Sequence, residues 1–509
     1  MTYTIKQNVL IYGYTTFEHA LVQKLVESKF VENIYAANCD DDIKKYVTEF
    51  FLEDGFSLIK KAKERNVDLL IANFDGNDNG IIDAFEKAGI VCIGCKKYWT
   101  QLESSKSFAK KFMERNNIPT APYSVFEDQN QAKEYLDNIE FPIVVKADGY
   151  SRGAGVFICK NKNEAYDAVD KILNKRITTA CSKLLIEKYI SGIEVTLMSL
   201  WDGKTLLPLL PCKDYKKFYD NDEGPNTASM GCYVPFELSA EQKKLIEQYL
   251  KNFEIALKKE NVNIKACIYS GLIINENGLY VLEYNMRFGE PEGAAVLMHL
   301  QNDIVDVFSA MSQSKLSEIN LFWHENITAC INLVGNNYLV GGDNLEIKKS
   351  QLEILKNKKI RSFFFKINDK QDCYHTNSGL LATLRFLTNL ALKARFCAFV
   401  VFGTLFINIF FSFLFIYYLT ALFSLISIAL FNKAFVINAD VAKKAVIIDA
   451  HFIADFLCKL FRALSNIFSC PLNKFGISSA DFKTPFLISL KAPSKYLFNL
   501  SKPPAAPTQ

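Results

Sequence analysis

Short apolar segments alternate with helical segments through about the first hundred residues of the chain. The runs NVLIYGY, ENIYAANC, DLLIANF and VCIGC are typical of strands, whereas FEHALVQKLVES, FSLIKKAKERNV and GIIDAFEKAGI have the apolar spacing of helices. Strands that alternate with helices form a parallel sheet with helices on both faces. We therefore predict an α/β fold that begins with a parallel-sheet domain at residues 1–103.

The pattern changes after residue 103. The helix SKSFAKKFMERNNI ends before Pro119, and FPIVVKADGYSRGAGVFIC then has the order strand, glycine-rich loop, strand. Two further strands flank a turn in SKLLIEKYISGIEVTLMSLWDG. The long helix LSAEQKKLIEQYLKNFEIALKKE precedes the hairpin ACIYSGLIINENGLYVLEYNMRFG, which has NENG as its turn. These elements predict a second domain, which we place at residues 104–324.

The charge balance argues against nucleic acid as a partner. A net charge of +4 is mild, whereas nucleic-acid binders show a strong basic footprint. The 13 cysteines fit a reducing cytosol better than a secreted scaffold. Cys92 lies in the apolar run GIVCIG, so we expect a buried strand there rather than a zinc pair with Cys95. The opening MTYTIKQNVLIYG is strand-like and not typical of a signal peptide. We expect a cytoplasmic catalytic part, with membrane association through the C-terminal tail left open.

The last part of the chain, residues 386–509, is apolar and rich in phenylalanine. Residues 396–432 contain no Asp, Glu, Lys, Arg or His, and a helix needs only about 20 apolar residues to cross a bilayer. Three explanations stay open: a membrane segment fused to the soluble part, a downstream reading frame joined by a frameshift, and a buried helical hairpin. Positive charges flank the run on both sides, so its topology is open too.

The first chemical motif is VVKADGYSRGAGV. Lys146 ends an apolar strand, and Gly153 and Gly155 lie in the loop that follows. Glycines allow backbone N–H groups to close on phosphate oxygens, and a lysine adds a positive charge. The loop joins strand to strand, so it is not a Walker motif, and an ordinary hairpin is the alternative.

The second motif is VLEYNMRFGEPEG. Glu283 and Asn285 alternate along a predicted strand, so both side chains face the same side. Two oxygen ligands at this spacing suit Mg²⁺. Arg287 lies on that face too if the strand continues, and could hold a carboxylate or phosphate. The alternative is a solvated strand edge.

Two weaker motifs accompany these. In LLIEKYISGIEV, Glu187, Lys188 and Glu194 surround a turn that could receive an adenine and a ribose. In GPNTASMGCYVP, glycines and a proline interrupt the backbone, so we predict no regular helix or strand through residues 224–235. That stretch is either an ordinary surface loop or a loop that lies against a small polar substrate.

Together the motifs resemble those of the phosphoribosylamine–glycine ligase family of the ATP-grasp superfamily. The family hallmark Gly-Pro-Asn-Thr-Gly-Gly-Met-Gly-x-Tyr is similar to GPNTASMGCY, and Leu-Glu-Phe-Asn-x-Arg-Phe-Gly-Asp-Pro-Glu is similar to LEYNMRFGEPE. QLESSKSFAKKFMERNNIPTAPY and PIVVKADG also match in order and spacing. The likeness extends from residue 8 to roughly residue 382. It implies that 1–103 is a pre-ATP-grasp domain and 104–324 an ATP-grasp domain with a mobile lid at about 122–190. A small, incomplete α+β domain would follow at 325–385, and then an apolar helical tail.

The resemblance implies a reaction in which ATP phosphorylates glycine and the amine of 5-phosphoribosylamine attacks the acyl phosphate. ATP and Mg²⁺ or Mn²⁺ would be the cofactors, and a monomer is favoured. The implied nucleotide-binding residues are Lys106, Lys146, Gly153, Gly155, Glu187, Lys188 and Glu194. The implied metal ligands are Glu283 and Asn285. The candidate catalytic residues are Asp214 and Arg287, and the candidate substrate-binding residues are Asn226, Thr227, Arg287 and Glu292.

The chain departs from the family at several glycines. The opening turn Gly-x-Gly-Gly-Arg-Glu-His-Ala is here GYTTFEHA, and two glycines of the hallmark are Ala228 and Ser229. The lid sequence Gly-Lys-Gly is Gly153, Ala154 and Gly155. Two alternatives to the ligase therefore stay open: a non-catalytic, membrane-tethered module that binds nucleotide, and an ATP-grasp ligase with a different substrate.

Overall fold

The computed structural model describes most of the chain up to residue 385. The described residues are 6–13, 15–37, 43–50, 55–73, 80–149, 155–174, 182–334, 345–348, 360–364, 367–369, 373–376 and 380–385. All belong to the first of two units into which the chain divides, Met1–Thr404. None of the helices in this described part has the length and hydropathy needed to cross a bilayer. The predicted membrane segment 396–432 and Gly153 lie outside the described residues.

The N-terminal part contains the predicted parallel sheet. Its five strands have the order β3-β2-β1-β4-β5, and every neighbouring pair is parallel. The strands are β1 (Gln7–Tyr12), β2 (Val31–Ala37), β3 (Thr48–Phe50), β4 (Leu69–Ala72) and β5 (Val91–Ile93). The helices are α1 (Thr16–Val26), α2 (Gly55–Glu64) and α3 (Ile81–Lys87).

Both faces of this sheet are covered, as the α/β prediction requires. Val9 and Ile11 of β1 pack into the core that contains α1, whereas Leu10, between them, packs with α2 and α3 on the other face. Cys92 is buried in β5, as expected, and no metal-binding cluster occurs among the described residues. Strand β3 was not predicted, because it has only three residues and only Phe50 is buried.

The segment that follows forms a second, antiparallel sheet with its own core. The sheet order is β6-β9-β7-β8, and helices α6 and α7 pack on it. The helices α4 (Gln101–Ser104) and α5 (Lys106–Arg115) come first in the chain. The sheet and its helices are β6 (Tyr123–Phe126), α6 (Gln129–Leu136), β7 (Ile143–Ala147), β8 (Val156–Cys159), α7 (Lys162–Leu173) and β9 (Leu184–Lys188).

A third sheet, of order β11-β10-β14-β15, packs against α5 and α8. The predicted hairpin is β14–β15, whose closing pair is Asn275 with Gly278. Helix α8 begins with a capping box, in which the Ser239 and Gln242 side chains accept from each other's backbone N–H groups. The elements are β10 (Ile193–Trp201), β11 (Leu206–Pro208), α8 (Ala240–Lys259), β14 (Ala266–Asn275), β15 (Gly278–Asn285), α9 (Glu292–His299) and α10 (Ile304–Ser312).

The prediction that no regular strand passes through residues 224–235 is wrong. Glu223–Val234 form strand β13, which pairs with β12 (Lys213–Tyr219) through two register shifts. The register shifts allow β13 to pair with β12 although glycines make its backbone irregular. Gly231 has φ +150°, and a Cβ there would lie 2.6 Å from the carbonyl oxygen of Cys330 on the neighbouring strand. The glycine therefore permits close strand pairing at this position.

The described residues of 325–385 include six strands, three of which extend the sheet of β12 and β13 in the order β12-β13-β16-β21-β18. The others form the sheet β17-β20-β19. The strands are β16 (Thr328–Leu333), β17 (Leu345–Lys348), β18 (Ile360–Phe364), β19 (Ile367–Asp369), β20 (Cys373–Thr376) and β21 (Leu380–Arg385). The α+β character of this region and the domain boundaries stay predictions.

Candidate active site

A buried carboxylate between two lysines lies where α5, β7 and β9 meet. Oε2 of Glu187, in β9, is 2.9 Å from Nζ of Lys146 in β7 and 3.0 Å from Nζ of Lys110 in α5. Burial opposes ionisation of Glu187, but Lys146 and Lys110 together outweigh it and lower the pKa of this carboxyl below its usual range. Lys146 also donates to the carbonyl oxygen of Leu282 at 3.4 Å, which links β7 to β15.

Two sequence-predicted lysines are brought near each other by the start of α5. Lys106 is the first residue of this helix, and its Nζ donates to the Gly149 carbonyl oxygen at 3.0 Å, just after β7. Asp148 accepts from the Ser107 backbone N–H at 3.1 Å and from the Ser107 hydroxyl at 2.5 Å. This carboxylate therefore holds the end of the Lys146 strand against the helix that carries Lys106.

The predicted metal ligands lie on one face of β15. Glu283 and Asn285 are partly buried on either side of the fully buried Tyr284, as the alternation predicted. Nζ of Lys216, in β12, is 3.3 Å from Oε1 of Glu283. The charge of Lys216 is the main cause that lowers the pKa of Glu283 to about 2. Glu283 is thus anionic at neutral pH and already faces a cation.

A second carboxylate cluster surrounds Asp214 in β12. The Ser229 hydroxyl, in β13, donates to Oδ1 of Asp214 at 2.5 Å. Burial, followed by the charge of Glu292, raises the pKa of Asp214 to about 8. Glu292 is buried at the start of α9 and accepts from the Thr196 hydroxyl at 3.3 Å. Since the charge of Glu292 acts on Asp214, these two sequence-predicted residues lie in one site.

Arg287 is not on the Glu283 face of a continuing strand, because β15 ends at Asn285. Its Nε donates to Oε1 of Glu103 at 2.9 Å, and the backbone N–H of Met286 donates to Oε2 of the same carboxylate at 2.8 Å. Glu103 lies in α4. The two hydrogen bonds therefore join the residues that follow β15 to α4, and the Arg287 side chain points toward that helix.

The remaining predicted residues differ in their placement. The Thr227 hydroxyl donates to the Lys216 carbonyl oxygen at 2.8 Å, and Asn226 pairs with Lys217 across β12 and β13. Both therefore lie on β13, which pairs with the strand that carries Lys216, the partner of Glu283. The side chains of Lys188 and Glu194 are exposed. The Gly155 carbonyl oxygen accepts from the Ala147 N–H, which closes the described end of the glycine loop.

The turn between β1 and α1 meets the motif GEPE. The Thr16 backbone N–H donates to Oε1 of Glu290 at 3.1 Å, and the Thr15 N–H donates to Oε2 of Glu18 at 2.8 Å. Burial and the charge of Glu18 raise the pKa of Glu290 to about 8. Phe17 stacks on Phe288 with ring centroids 4.5 Å apart. Two carboxylates of the chain itself thus occupy the N-terminus of α1.

Sequence reasoning assigned no role to four residues that the structure brings into these clusters. Two had a usable signal: Lys110 follows Lys106 by one helical turn, and Lys216 follows Asp214 by two residues, the spacing that puts two side chains on one face of a regular strand. Glu103 and Glu290 act through contacts with distant segments, which no local pattern indicates.

Two family models match the chain. The phosphoribosylglycinamide synthetase N domain matches residues 7–103, and the ATP-grasp (A) domain of the same synthetase matches residues 104–293. The phosphoribosylamine–glycine ligase of Clostridium acetobutylicum is 34% identical over 336 residues, which are 65% of this chain and 81% of that protein. The one from Fusobacterium nucleatum is 31% identical over 381 residues, 73% of this chain and 89% of that protein.

Solved structures share the fold. The phosphoribosylamine–glycine ligase of Thermotoga maritima superposes with a TM-score of 0.65 at 22% identity, over 78% of this chain and 96% of that one. The biotin carboxylase domain of Hydrogenobacter thermophilus 2-oxoglutarate carboxylase, solved with ADP, magnesium and bicarbonate, gives 0.56 at 17% identity, over 75% and 86%. With both family models matched in sequence order and with relatives a third identical over four fifths of their length, this chain belongs to the phosphoribosylamine–glycine ligase family.

Proposed function

We propose that the chain joins glycine to 5-phosphoribosylamine at the expense of ATP, giving glycinamide ribonucleotide, ADP and phosphate. Family membership supports this activity. The structural observation that carries it is that Lys146 bonds to the Leu282 carbonyl oxygen, next to Glu283, and that the charges of Lys146 and Lys106 both act on the Glu283 carboxylate. Cations for phosphate groups lie beside an anionic oxygen ligand, which is what phosphoryl transfer from a nucleotide requires.

The reaction has two steps in this proposal. A glycine carboxylate oxygen attacks the γ-phosphorus of ATP, so that ADP leaves and glycyl phosphate forms. The amine of 5-phosphoribosylamine then attacks the glycyl carbonyl carbon, an amide bond forms, and phosphate leaves. The attacking amine loses a proton, and Asp214, whose pKa of about 8 lies near neutral pH, is the proposed acceptor.

The nucleotide would lie along α5, β7 and β9. Lys106 and Lys146 would bind the phosphates, with Gly153 and Gly155 closing over them. Glu187 would hold the adenosine part, whereas the exposed Lys188 and Glu194 would contact it only at its edge. The substrates would lie beside β12 and β13, which carry Asp214, Asn226 and Thr227, with Glu292 at the start of α9 and Arg287 after the end of β15.

The residues present fit a magnesium ion. Glu283 is anionic, and Asn285 adds an amide oxygen on the same face of β15. Mg²⁺ commonly takes only one or two protein oxygens and fills its shell with phosphate and water, so two ligands are enough. The close contact of Lys216 with Glu283 marks the same oxygen as a cation site. When bound, the metal would neutralise developing phosphate charge.

A ligase with a different acceptor is the second candidate, and the β1–α1 turn favours it. Backbone N–H groups at a helix N-terminus bind anions, but here they already bond to Glu18 and Glu290. A phosphate on the substrate would have to displace these carboxylates or bind elsewhere.

The test is ADP release by the full chain with ATP and Mg²⁺. It is run with glycine and freshly generated phosphoribosylamine, again with each left out, and once more with glycine and other primary amines in place of phosphoribosylamine. ADP that needs both substrates supports the proposed ligase. ADP that appears with glycine and another amine supports the second candidate, and no ADP in any mixture contradicts both.

A further inference from the structure

Lys110 is a lysine with almost no access to water. Its residue is 1% exposed, although it lies on a helix whose other lysines face outward or toward the glycine loop. Burial lowers its pKa to about 8, against the attraction of Glu187. Removing an ammonium group from water is costly, so a buried lysine is retained where its charge has a partner.

The ammonium of Lys110 is held on two sides. Nζ donates to the Thr120 hydroxyl at 2.8 Å, and that hydroxyl in turn donates to the Val281 carbonyl oxygen at 2.7 Å. On the other side, Nζ is 3.0 Å from Oε2 of Glu187. Thr120, which is itself bonded to Val281, holds the ammonium group in place. Lys110 therefore keeps its contact with Glu187 when a ligand binds.

Lys146 is placed differently. It contacts the same Oε2 of Glu187 but ends the strand that leads into the glycine loop. A lysine that turns toward nucleotide phosphates must share or give up its contact with Glu187. Glu187 would then be a buried carboxylate with one cation fewer, and without Lys110 none of the described cations would pair with it.

The other oxygen of Glu187 has a free place for a donor. Oε1 is buried, and none of the described groups donates a hydrogen bond to it. Buried carboxylate oxygens nearly always accept at least one hydrogen bond. An ionised Oε1 accepts from an amino group, whereas a protonated carboxyl can donate to a carbonyl oxygen.

We propose that Lys110 is a positioning residue, which keeps Glu187 ionised. Oε1 of Glu187 then accepts a hydrogen bond from the 6-amino group of the bound purine, while Lys146 binds the phosphates. The inference rests on the proposed function for the location of ATP. Of the titratable groups in the described ranges, those that face Glu187 are Lys110 on α5 and Lys146 on β7. The ring of Tyr123 on β6 lies 5.7 Å from Nζ of Lys110.

The experiment compares ATP with inosine triphosphate, in which a 6-oxo group replaces the 6-amino group. Both nucleotides are titrated against the full chain by calorimetry, and kcat/KM is measured for each. Wild-type protein should prefer ATP. Lys110→Met should lower this preference about tenfold or more, because Glu187 can protonate and then donate to the 6-oxo group.

Three variants make the result specific. Lys110→Arg keeps the cation and should keep most of the preference. Lys110→Gln removes the charge but not the hydrogen bond, and it decides the question alone if Lys110→Met melts below the assay temperature. Lys133→Met is the matched control, since Lys133 pairs with Asp170 at 2.7 Å on the outer helices of the same sheet. Its preference should equal that of the wild type.

An unchanged ratio of ATP to inosine triphosphate in Lys110→Gln and in folded Lys110→Met would overturn the inference. Wild-type protein that binds ATP but releases no ADP contradicts the proposed function alone, because the calorimetric preference still reports on Lys110. The two failures are therefore distinguishable.

Discussion

The hydroxyl of Ser229 donates a hydrogen bond of 2.5 Å to Oδ1 of Asp214, from one strand of the β12–β13 pair to the other. Ser229 stands where the family hallmark has a glycine, so this contact accompanies a departure of this chain. The hydrogen bond lowers the pKa of Asp214, against the stronger effect of burial. The serine at position 229 therefore lowers the pKa of Asp214, the group proposed to accept the amine proton.

Ser229→Gly, which restores the family residue, should move the acidic limb of the kcat profile to higher pH by up to about one unit. The reason is that the ionised form of Asp214 loses a donor. Steady-state rates of ADP release between pH 6 and 9.5 measure the shift. Ser312→Ala is the control, because the Ser312 hydroxyl donates to Ser309 within α10. If the pH of the acidic limb does not change in Ser229→Gly, Ser229 has no effect on the catalytic group.

Glu103→Gln should weaken the interaction that positions Arg287, because it removes the negative charge of the ion pair. The pair is largely buried, with 18% and 12% of the two side chains exposed, so losing one partner costs more than at the surface. We expect kcat/KM for the substrates to fall about tenfold, with a smaller effect on the KM for ATP. Glu260→Gln breaks the more exposed pair with Arg115 and should change neither. Equal losses in both variants would contradict a specific role for Glu103.

Asp148→Asn should loosen the junction between β7 and α5. The Asp148 carboxylate accepts the Ser107 N–H at the start of the helix, and such a cap contributes about 1 kcal/mol. We expect a lower melting temperature together with a higher KM for ATP. The reason is that Lys106 on α5 and Lys146 on β7 are no longer held at a fixed distance from each other. Ser107→Ala keeps the backbone bond and should have about half the effect. Thermal unfolding and ADP release measure the two quantities, and a normal KM in a destabilised Asp148→Asn would limit the contact to stability.

Glu290→Gln should stabilise the protein more at pH 8 than at pH 5. The pKa of Glu290 is raised to about 8 in the fold, from an ordinary value of 4.5. The folded state thus binds more protons than the unfolded state between these values, and its stability falls as pH rises through this window. Glutamine stays neutral and avoids that loss.

The measurement for Glu290 is the difference in melting temperature between variant and wild type from pH 4.5 to 8.5. The difference should grow up to about pH 8 and then level off. Glu276→Gln, in the turn of the β14–β15 hairpin, is the control and should give a constant difference. A difference for Glu290→Gln that does not vary with pH would show that the carboxyl titrates normally.

Local patterns predicted much of the fold and part of the site. The alternation of strands and helices identified the parallel sheet, because a buried parallel strand is apolar on both faces. The alternation of Glu283 and Asn285 placed them on one face of β15, because side chains repeat every two residues in a strand. The same reasoning failed for β13, since register shifts allow a glycine-rich segment to pair.

By itself, the sequence determined the alternation of strands and helices in the N-terminal sheet, apart from the short β3, and which polar side chains share an element, since both follow from short-range periodicity. Only the tertiary structure decided that Arg287 bonds to Glu103, 184 residues away, and that Glu290 bonds to the Thr16 N–H, 274 residues away. It also placed two lysines on Glu187. Such contacts, and the pKa shifts they cause, depend on how separate elements pack, and no local spacing along the chain encodes that packing.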